Sequence, residues 1–191
     1  MLNKTLQTNL RKDYQTHRDM RHKLIGASND ALRASKQAIF SLHRDETKTA
    51  RKQLDQVNNT FTALQKKLAK ANPELAKQGA YLAALEEYLE AELFYQAMTG
   101  KPISKIENID AGVDQYIGAL SDMTGELTRQ AVLRATAKDY EAVKAYAAVT
   151  QEVIGMLIEF DLVSGLRQKY DDAKRNLKRM EGILYDISLR E

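Results

Sequence analysis

Glu87 and Glu90 stand three residues apart in Glu-Tyr-Leu-Glu, and Asp122 and Glu126 four apart in Asp-Met-Thr-Gly-Glu. On a helix, either spacing turns both members of a pair to the same side, so two helices could aim four carboxylates at one point. An all-oxygen cage of that kind suits Mg²⁺ or Mn²⁺. Such ions clamp phosphates during in-line displacement, and the chemistry in view is phosphodiester hydrolysis. The plain alternative is a solvated surface, because acid pairs at helical spacing recur by chance in a chain with 29% charged residues. The neighbours favour the site. Leu82, Leu85, Leu89 and Leu93 form an apolar stripe with Glu90 at its edge, which predicts a half-exposed Glu90 and places Glu87 beside Ala83 and Phe94. Ile109, Val113, Leu120, Met123 and Leu127 form a second stripe, and Asp122 and Glu126 lie off it near Gly118 and Gly125. Glycine weakens a helix by roughly 1 kcal/mol against alanine, so these two imply that something approaches the backbone there.

The elements that position these acids are all helical. The chain has 191 residues, 43% hydrophobic, with only nine Gly and two Pro and no sustained β-branched alternation, which predicts one all-α domain over residues 1–191. The expected architecture is a long antiparallel bundle of about six to seven helices. The first runs from about Leu2 to His43, with Ile25, Leu32 and Ile39 at heptad spacing. The second starts near Glu46 and carries Leu54, Val57, Phe61, Leu64 and Leu68; Pro73 then fits the first turn of the third. The third helix holds Glu87 and Glu90 and stops near Gly100. A loop over Ile103 to Asn108 follows, with Asp110 as the cap of the fourth helix, which holds Asp122 and Glu126 and breaks near Thr136. The fifth spans Asp139 to about Val163. The sixth alternates steps of four and three through Leu166, Tyr170, Ala173, Leu177, Met180, Leu184 and Ile187.

Composition excludes several classes. Without cysteine there is no disulfide, no thiolate zinc site and no cysteine nucleophile, which fits a reducing cytoplasm. No apolar leader or membrane span is expected, since Val153 to Val163 is interrupted by Glu159 and Asp161. No phosphate loop, dinucleotide fingerprint or nucleophile elbow is present, so no nucleotide cofactor is expected. His17 and His22 point apart on a helix and His43 stands alone, which argues against a histidine metal site. The net charge is only +3, but bases crowd the first and last helices. Arg18, Arg21, Lys174 and Lys178 are the weak choices for holding a nucleic-acid strand, and Arg129 is the base nearest the acids in sequence.

Longer runs carry a resemblance. Leu166-Arg-Gln-Lys-Tyr-Asp, Leu177-Lys-Arg-Met-Glu and Leu184-Tyr-Asp-Ile-Ser-Leu-Arg190 resemble the last helix of translin. Glu86-Glu-Tyr-Leu-Glu-Ala91, Asp114-Gln-Tyr-Ile-Gly and Asp122-Met-Thr-Gly-Glu-Leu-Thr-Arg129 resemble translin-associated factor X. The chain is thus similar to the translin superfamily across helices three, four and six. That resemblance implies an all-α subunit of a hollow, roughly octameric shell that binds single-stranded RNA or DNA. It also implies that Glu87, Glu90 and Asp122, with Glu126 as a fourth, match the acids used for Mg²⁺-dependent endoribonuclease activity. Combining both sets of motifs in one chain implies a homo-oligomer in which every subunit carries the acids. Translin's basic, His- and Trp-containing segment is replaced here by Asn72-Pro-Glu-Leu-Ala-Lys-Gln-Gly79, so that contact is not carried over.

The reading that joins these strands is hydrolysis of single-stranded RNA, with Glu87, Glu90, Asp122 and Glu126 holding one or two Mg²⁺ or Mn²⁺ ions. The ion would polarise the scissile phosphate and lower the pKa of the attacking water. Without metal, carboxylates this close should repel and take up protons. A non-catalytic single-strand binder and a protein-interaction scaffold are the alternatives.

Overall fold

In the computed structural model, which describes residues 2–189, the chain forms six α-helices and one short 3-10 helix, with no strand among the described residues. They are α1 (Lys4–His43), α2 (Thr47–Ala71), the 3-10 helix (Pro73–Lys77), α3 (Gly79–Met98), α4 (Val113–Thr136), α5 (Tyr140–Leu157) and α6 (Ser164–Ser188). The last residues of the translin-like tail, Arg190 and Glu191, lie outside the described residues.

Asn3 starts α1: its Oδ1 accepts from the backbone N–H of Thr5 at 2.8 Å and of Leu6 at 3.3 Å. With no Gly–Pro stop the helix continues for 40 residues, about 60 Å at 1.5 Å per residue. Only its second half packs. The buried column is Leu24, Ser28, Ala31, Ser35, Ala38 and Leu42, in which Leu24, Ala31 and Ala38 are the neighbours expected beside Ile25, Leu32 and Ile39, and Ile39 is buried with them. Small residues win that face because α3 lies against it. Asp45, with φ +61°, turns the chain into α2, whose Leu54, Val57, Phe61 and Leu68 are buried as expected.

Cross-helix contacts fix the directions. Arg51 reaches Glu92, Asn58 reaches Tyr88 and Gln65 reaches Tyr81, so α2 is antiparallel to α3. Arg21 pairs with Gln78, Lys36 with Glu87, and His43 packs on Phe94, so α1 runs parallel to α3. The connection after α3 returns the chain to that helix's starting end: Gln65 binds both Tyr81 and the backbone of Asp110. Consequently α4 runs parallel to α3, in a register that sets Gly118 beside Glu86. α5 returns antiparallel, α6 comes back along α4, and α3 becomes the central rod.

Three boundary expectations are corrected. Pro73 opens the separate 3-10 turn, and α3 begins only at Gly79. Gly112, not Asp110, is the residue before α4, because the backbone of Asp110 is held by the Gln65 amide. α5 stops at Leu157 rather than near Val163: Ile158, Phe160 and Val163 face solvent, so no packing extends the helix past that point. Val113, placed in the apolar stripe of α4, is exposed, while Ile109 is buried from the loop.

Candidate acidic site between α3 and α4

α3 is buried almost all round, because α1, α2 and α4 cover three of its sides. That position corrects one expectation. Glu90 is buried, at 9% exposure, rather than half exposed, since α4 closes over the stripe's edge. Parallel packing then sets Glu87 and Glu90 opposite Asp122 and Glu126, whose charges act on the ionisation of Glu87 and Glu90. Burial pushes the Glu90 carboxyl up to about 9, and the charges of Glu87, Asp122 and Glu126 push the same way. Burial also raises Glu87, against the pull of Lys36. Sequence spacing thus sets the two pairs on facing sides of α3 and α4, near enough for the charges of Asp122 and Glu126 to act on Glu87 and Glu90.

Three cationic or ring partners engage Glu87, Asp122 and Glu126. Lys36 Nζ of α1 lies 3.6 Å from Glu87 Oε2. Lys169 of α6 bridges Asp122 and Glu86, donating to Glu86 Oε1 at 2.6 Å. Burial alone would lower the Lys169 ammonium, but those two carboxylates outweigh it and its pKa is raised. His43 meets Glu126 through Nε2 and Gln130 Oε1 through Nδ1, the latter at 2.8 Å. Glu90 alone has neither a hydrogen bond nor an ion pair among the described residues. So arranged, no three acidic or histidine side chains gather as a ready ligand set among the described residues.

His43, Glu86 and Lys169 are site residues that the sequence reading missed. His43 is not isolated, because α1 ends against α4. The signal was the seven-residue step from Lys36 to His43, which sets both on one face of α1. For Lys169 no sequence signal existed, since only the return of α6 along α4 brings it there. The glycine argument holds in one place: a Cβ on Gly118 would stand 2.6 Å from Glu86 Oε2, so the bare backbone makes room for that carboxylate. Gly125 has Asn176 in ordinary contact, 3.5 Å from its would-be Cβ.

Among the bases, Arg129 Nη1 is 4.0 Å from Glu126 Oε2 and exposed, at the site's rim. Arg21 binds Gln78, and Arg18 lies a turn earlier on the exposed half of α1. Both are more than about 20 Å along the helix from Lys36. Lys174 pairs with Asp171 at 2.7 Å. Lys174 and Lys178 are turned about 140° and 180° from Lys169 on α6, away from the acids.

These observations define an all-α bundle with a parallel α3–α4 pair and two facing pairs of acids between those helices. The family model for the Translin family matches residues 19–191, and the chain belongs to that family. Translin from Gallus gallus is 28% identical over 119 residues, covering 58% of this chain and 51% of translin. The match thus spans about half the length of that relative. An uncharacterised protein of Methanocaldococcus jannaschii is 25% identical over 194 residues, covering 94% of this chain and 83% of its own. Two solved structures share the fold. Apo-NeC3PO superposes with a TM-score of 0.86 at 22% identity, covering 97% of both chains. An AfC3PO–duplex RNA complex superposes with a TM-score of 0.84 at 19% identity, covering 96% of this chain and 97% of its own.

Proposed function

We propose that this protein is an RNA-binding subunit of a homo-oligomer, in which the α3–α4 acids support metal-dependent endoribonuclease action on single-stranded RNA. The observation that carries the reading is Glu90: a carboxyl buried beside the charges of Glu87, Asp122 and Glu126, on which Lys169 acts without pairing to it. A divalent ion is the partner whose charge and oxygen preference answer that arrangement. Family membership and the RNA-bound AfC3PO neighbour support RNA as the ligand class. Single-stranded DNA is a second ligand of the same chemistry.

The donor set fits Mg²⁺ or Mn²⁺ in kind, being carboxylate oxygens only. Glu87, Glu90, Asp122 and Glu126 would hold the ion, which supplies Lewis-acid polarisation of a phosphate and charge balance in the transition state. The chain's own residues do the rest. Lys36 pairs with Glu87 and Lys169 with Asp122, so an ion that used those carboxylates would have to displace both ammonium groups. His43 orients Glu126 and is itself fixed by Gln130, so that carboxylate is aimed from behind. Arg129, at the rim, can meet a strand's phosphate.

Assembly into a shell of about eight copies is part of the proposal. Leu6, Leu10 and Tyr14 form an exposed stripe on the unpaired half of α1, and Val113, Met156, Ile158 and Phe160 expose a second apolar region beside α4 and α5. Surfaces of that kind mark subunit contacts.

Cleavage of a labelled single-stranded RNA should require Mg²⁺ or Mn²⁺, stop in EDTA and fail in Glu87→Gln. Equal, metal-independent cleavage by both proteins would remove the reading. A specific observation favours the non-catalytic binder as the second reading, namely that Lys36, Lys169 and His43 already engage three of the four acids. Tight binding with the strand intact after long incubation in either metal would select it.

A further inference from the structure

Between α1 and α2 lies an open groove of ≈ 850 Å³, separate from the acids but joined to them through one residue. Its α1 wall presents Arg33, Lys36, Phe40 and Arg44, spaced three and four residues apart and so aligned on one side of the helix. Phe40 is 52% exposed, a large ring left in solvent on a helix half that otherwise packs. The Arg44 guanidinium stands 5.2 Å from the centre of that ring. The acids that answer these bases are Asp30, exposed and 3.4 Å from Arg33, and Glu46, half-buried in the groove's own lining and paired with Arg44. Lys36 is shared, lining the groove and pairing with Glu87 at 3.6 Å.

We propose that this groove is the track on which a single strand of RNA approaches the acids, with one base stacked on Phe40 and the backbone phosphates held by Arg33, Lys36 and Arg44. The inference rests on the RNA-binding reading and adds to it the surface and the strandedness. Bases of any identity stack on an aromatic ring, and an arginine already over the ring preorganises the contact. The Lys36–Glu87 pair is long, at 3.6 Å, and its Lys36 end is exposed, so the ammonium is weakly held although Glu87 is partly buried. A phosphate can therefore take Lys36 from Glu87, so that arrival of the strand frees a carboxylate of the site. A duplex cannot use the ring in this way, because its bases are stacked on one another.

Anisotropy of a labelled oligouridine, measured in EDTA so that cleavage plays no part, tests the track. Phe40→Ala should weaken binding about tenfold. Phe40→Trp should keep it, and the control Tyr185→Ala, at an exposed ring of α6, should leave it unchanged. Arg33→Ala and Arg44→Ala should each weaken binding and lower the salt slope by about one. The Phe40→Ala loss should be much smaller for a blunt RNA duplex. Equal affinity of wild type and Phe40→Ala for the single strand, or an equal loss for the duplex, would overturn the proposal. A wild type that binds no RNA would overturn both this and the RNA-binding reading. A wild type that binds through Phe40 yet never cleaves in Mg²⁺ would retire the hydrolase and uphold the track.

Discussion

The two sides of α3 treat buried carboxylates in opposite ways. Toward α2, Glu92 is fully answered: Arg51 donates to both of its oxygens, at 2.8 and 2.6 Å, and the Tyr88 hydroxyl donates to Oε1 at 2.9 Å. Asn58 Nδ2 donates in turn to the Tyr88 oxygen at 2.8 Å, and the hydrogen bond to Glu92 holds the Arg51 guanidinium firmly protonated. Toward α4, two residues away in sequence, Glu90 faces three more acids and gains no direct partner. One helix thus carries a finished ion pair and an unfinished one. A buried charge whose bonds are complete locks helices together, whereas one left among like charges is a place for a ligand.

The comparison breaks most severely at Arg51. Arg51→Met would strand Glu92 in the interface, and urea unfolding should show a loss of about 3 kcal/mol. On the other side the sign reverses. The folded-state pKa of Glu90 is raised from 4.5 to about 9, so its protonated form contributes stability that is complete below about pH 4.5 and lost as pH rises through about 9. Metal-free Glu90→Gln should therefore be more stable than wild type at pH 8 to 9, by about 1 to 2 kcal/mol, with a flatter stability profile across that window. A variant that is less stable there would place Glu90 with Glu92 as a finished pair.

Smaller effects sharpen the contrast. Gly182 in α6 has open space around its would-be Cβ, so Gly182→Ala should raise thermal stability by up to about 1 kcal/mol while changing neither side of α3. Arg129→Ala should alter stability by less than about 0.5 kcal/mol, because its ion pair with Glu126 is exposed and long, but should weaken RNA binding in a salt-dependent manner.

Much of this was legible in the residues. The acids' spacing named the two helices and the faces that meet, and the stripe of α2 follows from period alone, whereas the Asn3 cap that starts α1 was not read from the sequence. What escaped depended on topology. Nothing in the sequence states that residues 99–112 carry the chain back to the start of α3, and that return alone makes α3 and α4 parallel and buries Glu90. The same holds for Lys169, which is one lysine among many until α6 lies on α4. His43 was set aside because sequence neighbours were weighed instead of the seven-residue step to Lys36. In α1 the period identified Leu24, Ala31, Ala38 and Ile39, whereas Ser28 and Ser35 join the buried column because a neighbouring rod at close range selects small side chains.

Calorimetric titration of Mn²⁺ into the wild type and Glu90→Gln at the same pH tests the central claim most directly. Saturable binding by the wild type that is lost in the variant is the predicted result. No saturable binding by the wild type, or equal binding by the two proteins, would contradict it.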